Sequence, residues 1–349
     1  MDNLVNSGLI PGSYFTVIYA TALISTPVNI FTIFVIIFGT PEIVHEFRKT
    51  LLVSQVISSL ADFMRNVAIV PVTFLSDNIF TTFGLIDVIG WNVFGIQIPL
   101  ELQAILIYTT TISVFTAIEN LFWFRLEATL PNNHCLHFSR TTFKIIATGN
   151  FILWNTLTII VILLARPDQD EEAARFIERH PDLEVLVKDR RSYFTAKENS
   201  IALEVFTCLR LMKILGTIVI CTSIAVIIFI VLHNLSKLSS NSQKHKTHLV
   251  KTLCIQASGP IITFCLPCLT LYLPRIYDGN HKLASMISSY LMSVHTFMGT
   301  VFLFIAHKPY RKIFIRFVKR IRIEYICGPA RESSKYQSNQ IMPSNHAVN

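Results

Sequence analysis

Seven stretches of this chain are each long and apolar enough to cross a lipid bilayer, at about residues 14–38, 51–75, 97–124, 143–165, 211–232, 249–273 and 284–306. A span needs roughly 20 mostly apolar residues to bridge a hydrocarbon core of about 30 Å. Inside lipid every backbone N–H and C=O must be satisfied by the chain itself, which leaves helices and closed barrels. These runs are continuous rather than alternating, so the sequence predicts an all-α fold, a seven-transmembrane helix bundle. Composition agrees. Charged residues make up 15% and hydrophobic residues 52%, where a soluble domain carries roughly 25% charged. That balance excludes a disordered chain and argues against a soluble enzyme. The first run has no basic segment before it and no small-residue cleavage site, so it reads as a retained helix rather than a signal peptide.

Orientation follows from Lys and Arg in the loops. With the N-terminus outside, the cytoplasmic segments hold 18 of them and the outer segments 9, seven of those nine in the single loop 166–200. The expected organisation is a short extracellular N-terminus at 1–13, a seven-transmembrane domain at 14–306, an amphipathic juxtamembrane helix at 307–327 and a disordered cytoplasmic tail at 328–349. The juxtamembrane helix is read from Tyr310, Ile313, Phe314, Phe317, Val318 and Ile321, which form one helical stripe, with Arg311, Lys312, Arg316, Lys319, Arg320 and Arg322 on the remaining surface. Such a helix lies on an anionic inner leaflet, with Pro309 in its first turn. Cys327 at its end is a candidate for lipidation. The partner these basic residues imply is membrane lipid, not nucleic acid. The sequon Asn234-Leu-Ser236 falls on the cytoplasmic side of this topology.

Polar residues inside apolar runs are costly, so they face the bundle interior and point to function. Asp62 and Arg65 lie three apart in the second run, with Gln55, Ser58, Ser59 and Asn66 on the same side. They are expected to form either an intrahelical ion pair or a polar hinge. The third run carries Gln97, Glu101, Tyr108, Phe115 and Glu119 near one angle. Its outer half can touch a ligand and its inner half can report to the cytoplasm, although Glu101 also fits an interfacial carboxylate at the helix mouth. The seventh run presents Ser285, Ser288, Ser289, Met292, Thr296 and Gly299 on one side, suited to close helix packing or to a pocket wall. His295 is expected to be a packed, hydrogen-bonded core residue. Pro27, Pro71, Pro260 and Pro267 interrupt spans and suit helices that move. Arg210 and Lys213 open the fifth run and are expected to snorkel to the outer headgroups; contact with an anionic ligand is the alternative.

Other patterns carry little. Cys265-Leu-Pro-Cys268 has redox-motif spacing but sits in an apolar run that disfavours a thiolate. His134-Cys135-Leu-His137 is one short cluster without the second pair a metal site needs. The seven cysteines suggest no disulfide framework. Nucleotide-binding, serine-hydrolase and zinc-protease motifs are absent. The sequence therefore predicts no enzyme, no cofactor and no metal.

Four stretches resemble the nematode serpentine chemoreceptors of class H (Srh), within the Str-type superfamily; class I receptors are close relatives. Thr40-Pro41-Glu42 followed by Leu60-Ala61-Asp62 resembles the family's entry into the second helix. Pro99 with Gln103 resembles its third-helix start. Glu119-Asn120 resembles the Phe-Glu-Asn-Arg element, with Ile118 in place of Phe, Leu121 where Arg is usual and Arg125 one turn on. Val294-His295-Thr296-Phe297-Met298-Gly299-Thr300 and then His307-Lys308-Pro309-Tyr310-Arg311 resembles the seventh-helix ending. The resemblance covers residues from about 30 to 315. It implies a G-protein-coupled-receptor-like bundle in the plasma membrane, including that of a sensory cilium. It further implies a chemosensory receptor for a small molecule that activates a heterotrimeric G protein. Gln97, Glu101, Tyr108, Ser288 and Met292 become ligand-binding candidates. Asp62, Arg65, Glu119, Asn120, Arg125, His307, Pro309, Tyr310 and Arg311 become signalling candidates. The alternative is a ligand-gated channel subunit or a transporter.

Overall fold

The computed structural model describes residues 12–39, 45–74, 79–86, 98–130, 137–179, 181, 184, 187, 192–197, 200–236, 259, 261–271, 281–306, 310–317 and 319. The chain forms a helix bundle. Helix α1 (Ser13–Gly39) is followed by α2 (His45–Phe63), which continues as a π-helical turn, Met64–Ala68. Strands β1 (Pro71–Phe74) and β2 (Ile79–Thr82) precede α3 (Leu100–Thr129) and α4 (Arg140–Ala165). A short helix α5 (Gln169–Arg179) and strand β3 (Ser192–Phe194) lead into α6 (Ile201–Ser236). The sixth span is described over a π turn, Ile261–Cys265, and α7 (Leu266–Thr270). Helices α8 (His281–Ser293) and α9 (His295–Ala306) form the seventh.

Among the described residues, α1, α3, α4 and α6 are each long and apolar enough to cross a membrane alone. The pair α8 and α9, bent by 43° at their junction, makes a fifth crossing. Helix α3 is the axis: 61% of its apolar window is buried in the bundle, against 6% for α4, which lies on the periphery. Helix α3 packs against α2, α4 and α6, and α1 packs against α2, α8 and α9. Large apolar side chains cover the outside, with Leu23 at 77% exposure and Leu164 at 78%. That surface suits lipid rather than water.

The second span departs from the continuous helix that its hydropathy predicts. Pro71 has no N–H and disfavours helical backbone at the residue before it. The chain unwinds through the π turn and leaves the helix at Val70, which has φ 45°. Positive φ in a β-branched residue costs about 1–3 kcal/mol. Complete burial of Ile69 and Val70, and the bond from Phe83 N–H to the Ile69 carbonyl at 3.1 Å, hold it there. Gly84 makes this approach possible, since a Cβ at that position would lie 2.2 Å from the Ala68 carbonyl oxygen.

The helical bundle thus carries a small antiparallel sheet in the order β1-β2-β3, pairing Val72 with Thr81 and Phe80 with Tyr193. Strand β3 comes from loop 166–200, so that loop folds back over one end of the bundle. Gln169, at the start of α5, fixes it: its side chain donates to the Phe194 carbonyl at 3.1 Å and accepts from the Phe194 N–H at 2.9 Å.

At the opposite end, residues 310–317 are helical. Tyr310 is buried with Val35, Ile36 and Phe304, and the Phe317 ring lies 4.5 Å from that of Phe31. Gly39 admits this packing, because a Cβ there would sit 2.3 Å from Cδ1 of Ile313. Arg311, Lys312 and Arg316 are exposed.

Candidate functional site

Three features lie along the bundle interior between the sheet and the opposite end. The first is a cavity of about 70 Å³ directly beneath the sheet. Tyr108 and Phe115 on α3, Arg65 on the second span, Arg210 on α6, Met292 on α8 and Pro71 of β1 meet around it. Phe80 of β2 and Tyr193 of β3 pack in one cluster with Tyr108 and Phe206, so the sheet forms an aromatic roof behind the Tyr108 wall of the cavity. The Arg210 guanidinium lies 3.6 Å from the centre of the Tyr108 ring and 4.1 Å from that of Phe206, a cation–π arrangement. Arg65 donates to Thr111 Oγ1 at 2.9 Å and to Met292 Sδ at 3.3 Å.

The second feature is a buried ion pair. Lys213 Nζ donates to Glu119 Oε2 at 2.7 Å, and the two side chains are 2% and 3% exposed. Asn150 Nδ2 donates to the same oxygen at 2.9 Å, and Thr217 Oγ1 donates to Oε1 at 2.5 Å. One carboxylate therefore ties α3 to α4 and α6. Lys213 also lies over the Trp154 ring, at 5.0 Å.

The third feature centres on Asp62, which accepts from Ser25 at 2.9 Å, Asn29 at 3.1 Å and Asn66 at 2.8 Å. Asn66 also donates to the Ser293 carbonyl at 3.0 Å. Ser293 ends α8, where the helix breaks and loses internal partners for its carbonyls. Thr296, just past the break, donates to the Ser58 carbonyl at 3.2 Å, and Gln55 donates to Thr300 at 3.3 Å. The first, second and seventh spans are joined by this network at the bend.

Two sequence expectations need correction. Lys213 does not snorkel to the outer headgroups. Helix α6 begins at Ile201, so Lys213 lies about 18 Å along it, deep enough to require a buried counter-charge. Asp62 and Arg65 do not form an intrahelical ion pair; their charged groups bond in different directions, one to α1 and the other to α3 and α8. The other candidates are distributed as follows. Glu101 meets Arg166 at 2.7 Å at the sheet end of α3. Ser288 is not part of the cavity lining and donates to the Pro267 carbonyl at 2.5 Å, whereas its neighbour Ser289 lines it. His295 is buried, with Nδ1 2.8 Å from the Met292 carbonyl oxygen. Asn120 faces a groove between α2 and α4 that also contains Lys49 and Lys144. Arg125 is half-buried toward the end of α3 away from the sheet. Gln97, His307, Pro309 and Cys327 lie outside the described residues. Sequence reasoning missed Asn150, Thr217, Ser25 and Asn29 as partners of the two acids. The available signal was that a carboxylate within an apolar run demands donors from neighbouring helices.

Near the roof, the Tyr193 hydroxyl is buried with no hydrogen-bond partner among the described residues. Burial pushes its pKa up to about 12, with the Glu101 carboxylate adding to the effect.

Among known protein families, the one described as serpentine type 7TM GPCR chemoreceptor Srh matches residues 11–320. No curated protein matches the chain.

Proposed function

The chain belongs to the Srh family of serpentine seven-transmembrane chemoreceptors, and from that premise we propose that a small molecule binds in the cavity beneath the sheet and triggers a G protein at the opposite end. In this reading the sheet and the N-terminus face outside. The end bearing Lys49, Lys144, Arg311 and Lys312 faces the cytoplasm, where basic residues collect. The helix from Tyr310 then lies on the inner leaflet, and the plasma membrane, including that of a sensory cilium, is the expected location.

One observation carries the proposal: the cavity and the buried ion pair share the same two helices, one turn apart. Phe115 lines the cavity and Glu119 follows it by four residues on α3; Arg210 lines the cavity and Lys213 follows it by three on α6. A ligand that moves the Arg210 face of α6 relative to Tyr108 and Phe115 must strain or rebuild the Glu119–Lys213 contact. Such a pair has few tolerated geometries, because either charge left alone in the interior is costly. The pair thus serves as a two-position latch between ligand and cytoplasmic face. The ligand shifts the balance only by binding one position better than the other. The Asp62 network acts beside it, holding the bend between α8 and α9, which leads to the Tyr310 helix.

The test is nucleotide exchange on a Gα subunit co-expressed with the full chain, evoked by any active ligand. Tyr108→Ala should shift the potency of that ligand, and an N-terminal tag should be accessible on intact cells. An unchanged dose–response for Tyr108→Ala together with Met292→Ala would place the binding site elsewhere.

A further inference from the structure

Arg65 and Arg210 give the cavity an uneven electrostatic character. Both guanidiniums line it, and among the described residues no Asp or Glu does. Two carboxylates outside the cavity lining have their hydrogen bonds taken: Asp62, which interacts with Arg65 electrostatically but not by direct contact, accepts from Ser25, Asn29 and Asn66, and Glu119 accepts from Lys213, Asn150 and Thr217. Neither arginine has an acidic partner within 4 Å among the described residues. Arg65 directs two of its five N–H donors at a hydroxyl and a thioether, the latter a weak acceptor. The Arg210 guanidinium lies over the ring faces of Tyr108 and Phe206. Stacking uses the flat face of a guanidinium and leaves its N–H edge unspent. Both side chains line the same cavity, together with that of Cys268.

We propose that the ligand of this cavity is a short-chain monocarboxylate, its head held by Arg65 and Arg210 and its alkyl tail lying against Phe115 and Met292. The inference rests on the cavity reading above and adds the charge and size of the ligand. A carboxylate matches the guanidinium fork with paired, charge-assisted hydrogen bonds. Size follows from volume. The cavity of about 70 Å³ is roughly half of one that admits benzene, which favours acids of two to four carbons. Ile107 and Ile112 complete an apolar wall suited to an alkyl group but offering nothing to a second charge.

The experiment measures thermal melting of the purified full chain in detergent, which requires no G protein. The probes are acetate, propionate, butyrate and hexanoate at neutral pH, with the methyl esters and n-alkylamines of matched length. Propionate or butyrate should raise the melting temperature through selective binding to the folded state; hexanoate, the esters and the amines should do so at least tenfold more weakly. Arg210→Gln, which removes the charge stacked on the Tyr108 and Phe206 rings, should weaken the acid response at least tenfold. Arg65→Lys, which keeps the charge but loses the fork, should do the same and guards against a misfolded Arg65 variant. No rise with any acid at about 10 mM overturns the proposal, as does an acid response that survives both arginine variants. Equal stabilisation by acid and ester that Tyr108→Ala abolishes overturns the anionic preference but keeps the cavity reading. Acid stabilisation indifferent to Tyr108→Ala, Met292→Ala and both arginine variants overturns both.

Discussion

Lys213 Nζ and Glu119 Oε2 stand 2.7 Å apart in the bundle interior, joined across 94 residues of sequence. An ion pair so buried is not a strong source of net stability, because removing both charges from water offsets their attraction. Its value is specificity: α3 and α6 have few rotational settings in which both charges are satisfied. That makes the pair a suitable latch and gives it a characteristic mutational signature.

Glu119→Gln and Lys213→Met should each destabilise the protein by about 3–5 kcal/mol, since each strands the other charge. The double variant should melt well above the sum of the two losses, because it leaves no charge unpaired. Basal nucleotide exchange should change in Glu119→Gln while surface expression persists. Additive single and double effects, with unaltered basal exchange, would remove the latch.

Asn66→Leu should cost about 1–3 kcal/mol for the unsatisfied Ser293 carbonyl at the helix break, and more where Asp62 also loses a donor. Melting of the solubilised protein measures this. A substitution with no effect would show that the carbonyl at the bend finds another partner.

Gly84→Ala should abolish folded surface protein, because the new methyl would meet backbone at the Ala68 carbonyl, which cannot swing aside. Gly149→Ala and Gly216→Ala meet open space and should fold as well as the parent. Surface labelling of the three variants compares them directly.

Gln169→Ala should loosen the sheet roof, since it removes both bonds to the Phe194 backbone. Amide exchange at Phe194 should accelerate while amides in the middle of α3 stay protected. Uniform exchange across both segments would indicate global unfolding, and no change at Phe194 would mean the clamp does not hold the roof.

Tyr193→Phe should be neutral or stabilising near pH 7, because it removes a buried hydroxyl without a partner. The sign reverses nothing on raising the pH but widens the gap. The folded pKa of about 12 exceeds the unfolded value near 10. The unfolded chain therefore loses its proton first, and the parent's stability falls as pH rises from about 10 to 12. The Phe variant lacks that loss, so melting curves of the two should diverge above pH 10. Parallel curves would place the hydroxyl in contact with water.

The family resemblance was legible in short motifs such as Leu60-Ala61-Asp62 and Glu119-Asn120, and the family match agrees with it. The special character of Glu119 was also legible, because an acid deep in an apolar run announces itself. The identity of its partner was hidden: hydropathy placed the fifth span's start at residue 211, whereas the helix begins at Ile201. Polar residues such as Glu204 ended the apolar window before they ended the helix, and ten residues of helix fell outside it. The strand at Pro71–Phe74 was hidden in the same way, since a buried apolar strand and a buried apolar helix share one composition.

The sequence by itself determined the bundle of apolar rods and the placement of acids within them, because those properties are local and lipid forces each rod to satisfy its own backbone. Only the tertiary structure decided that Lys213 answers Glu119, that Asp62 and Arg65 part company, and that two arginines share a cavity under a sheet. Each of those outcomes depends on how far one helix is turned and shifted against another, and that setting is made jointly by side chains scattered over several spans.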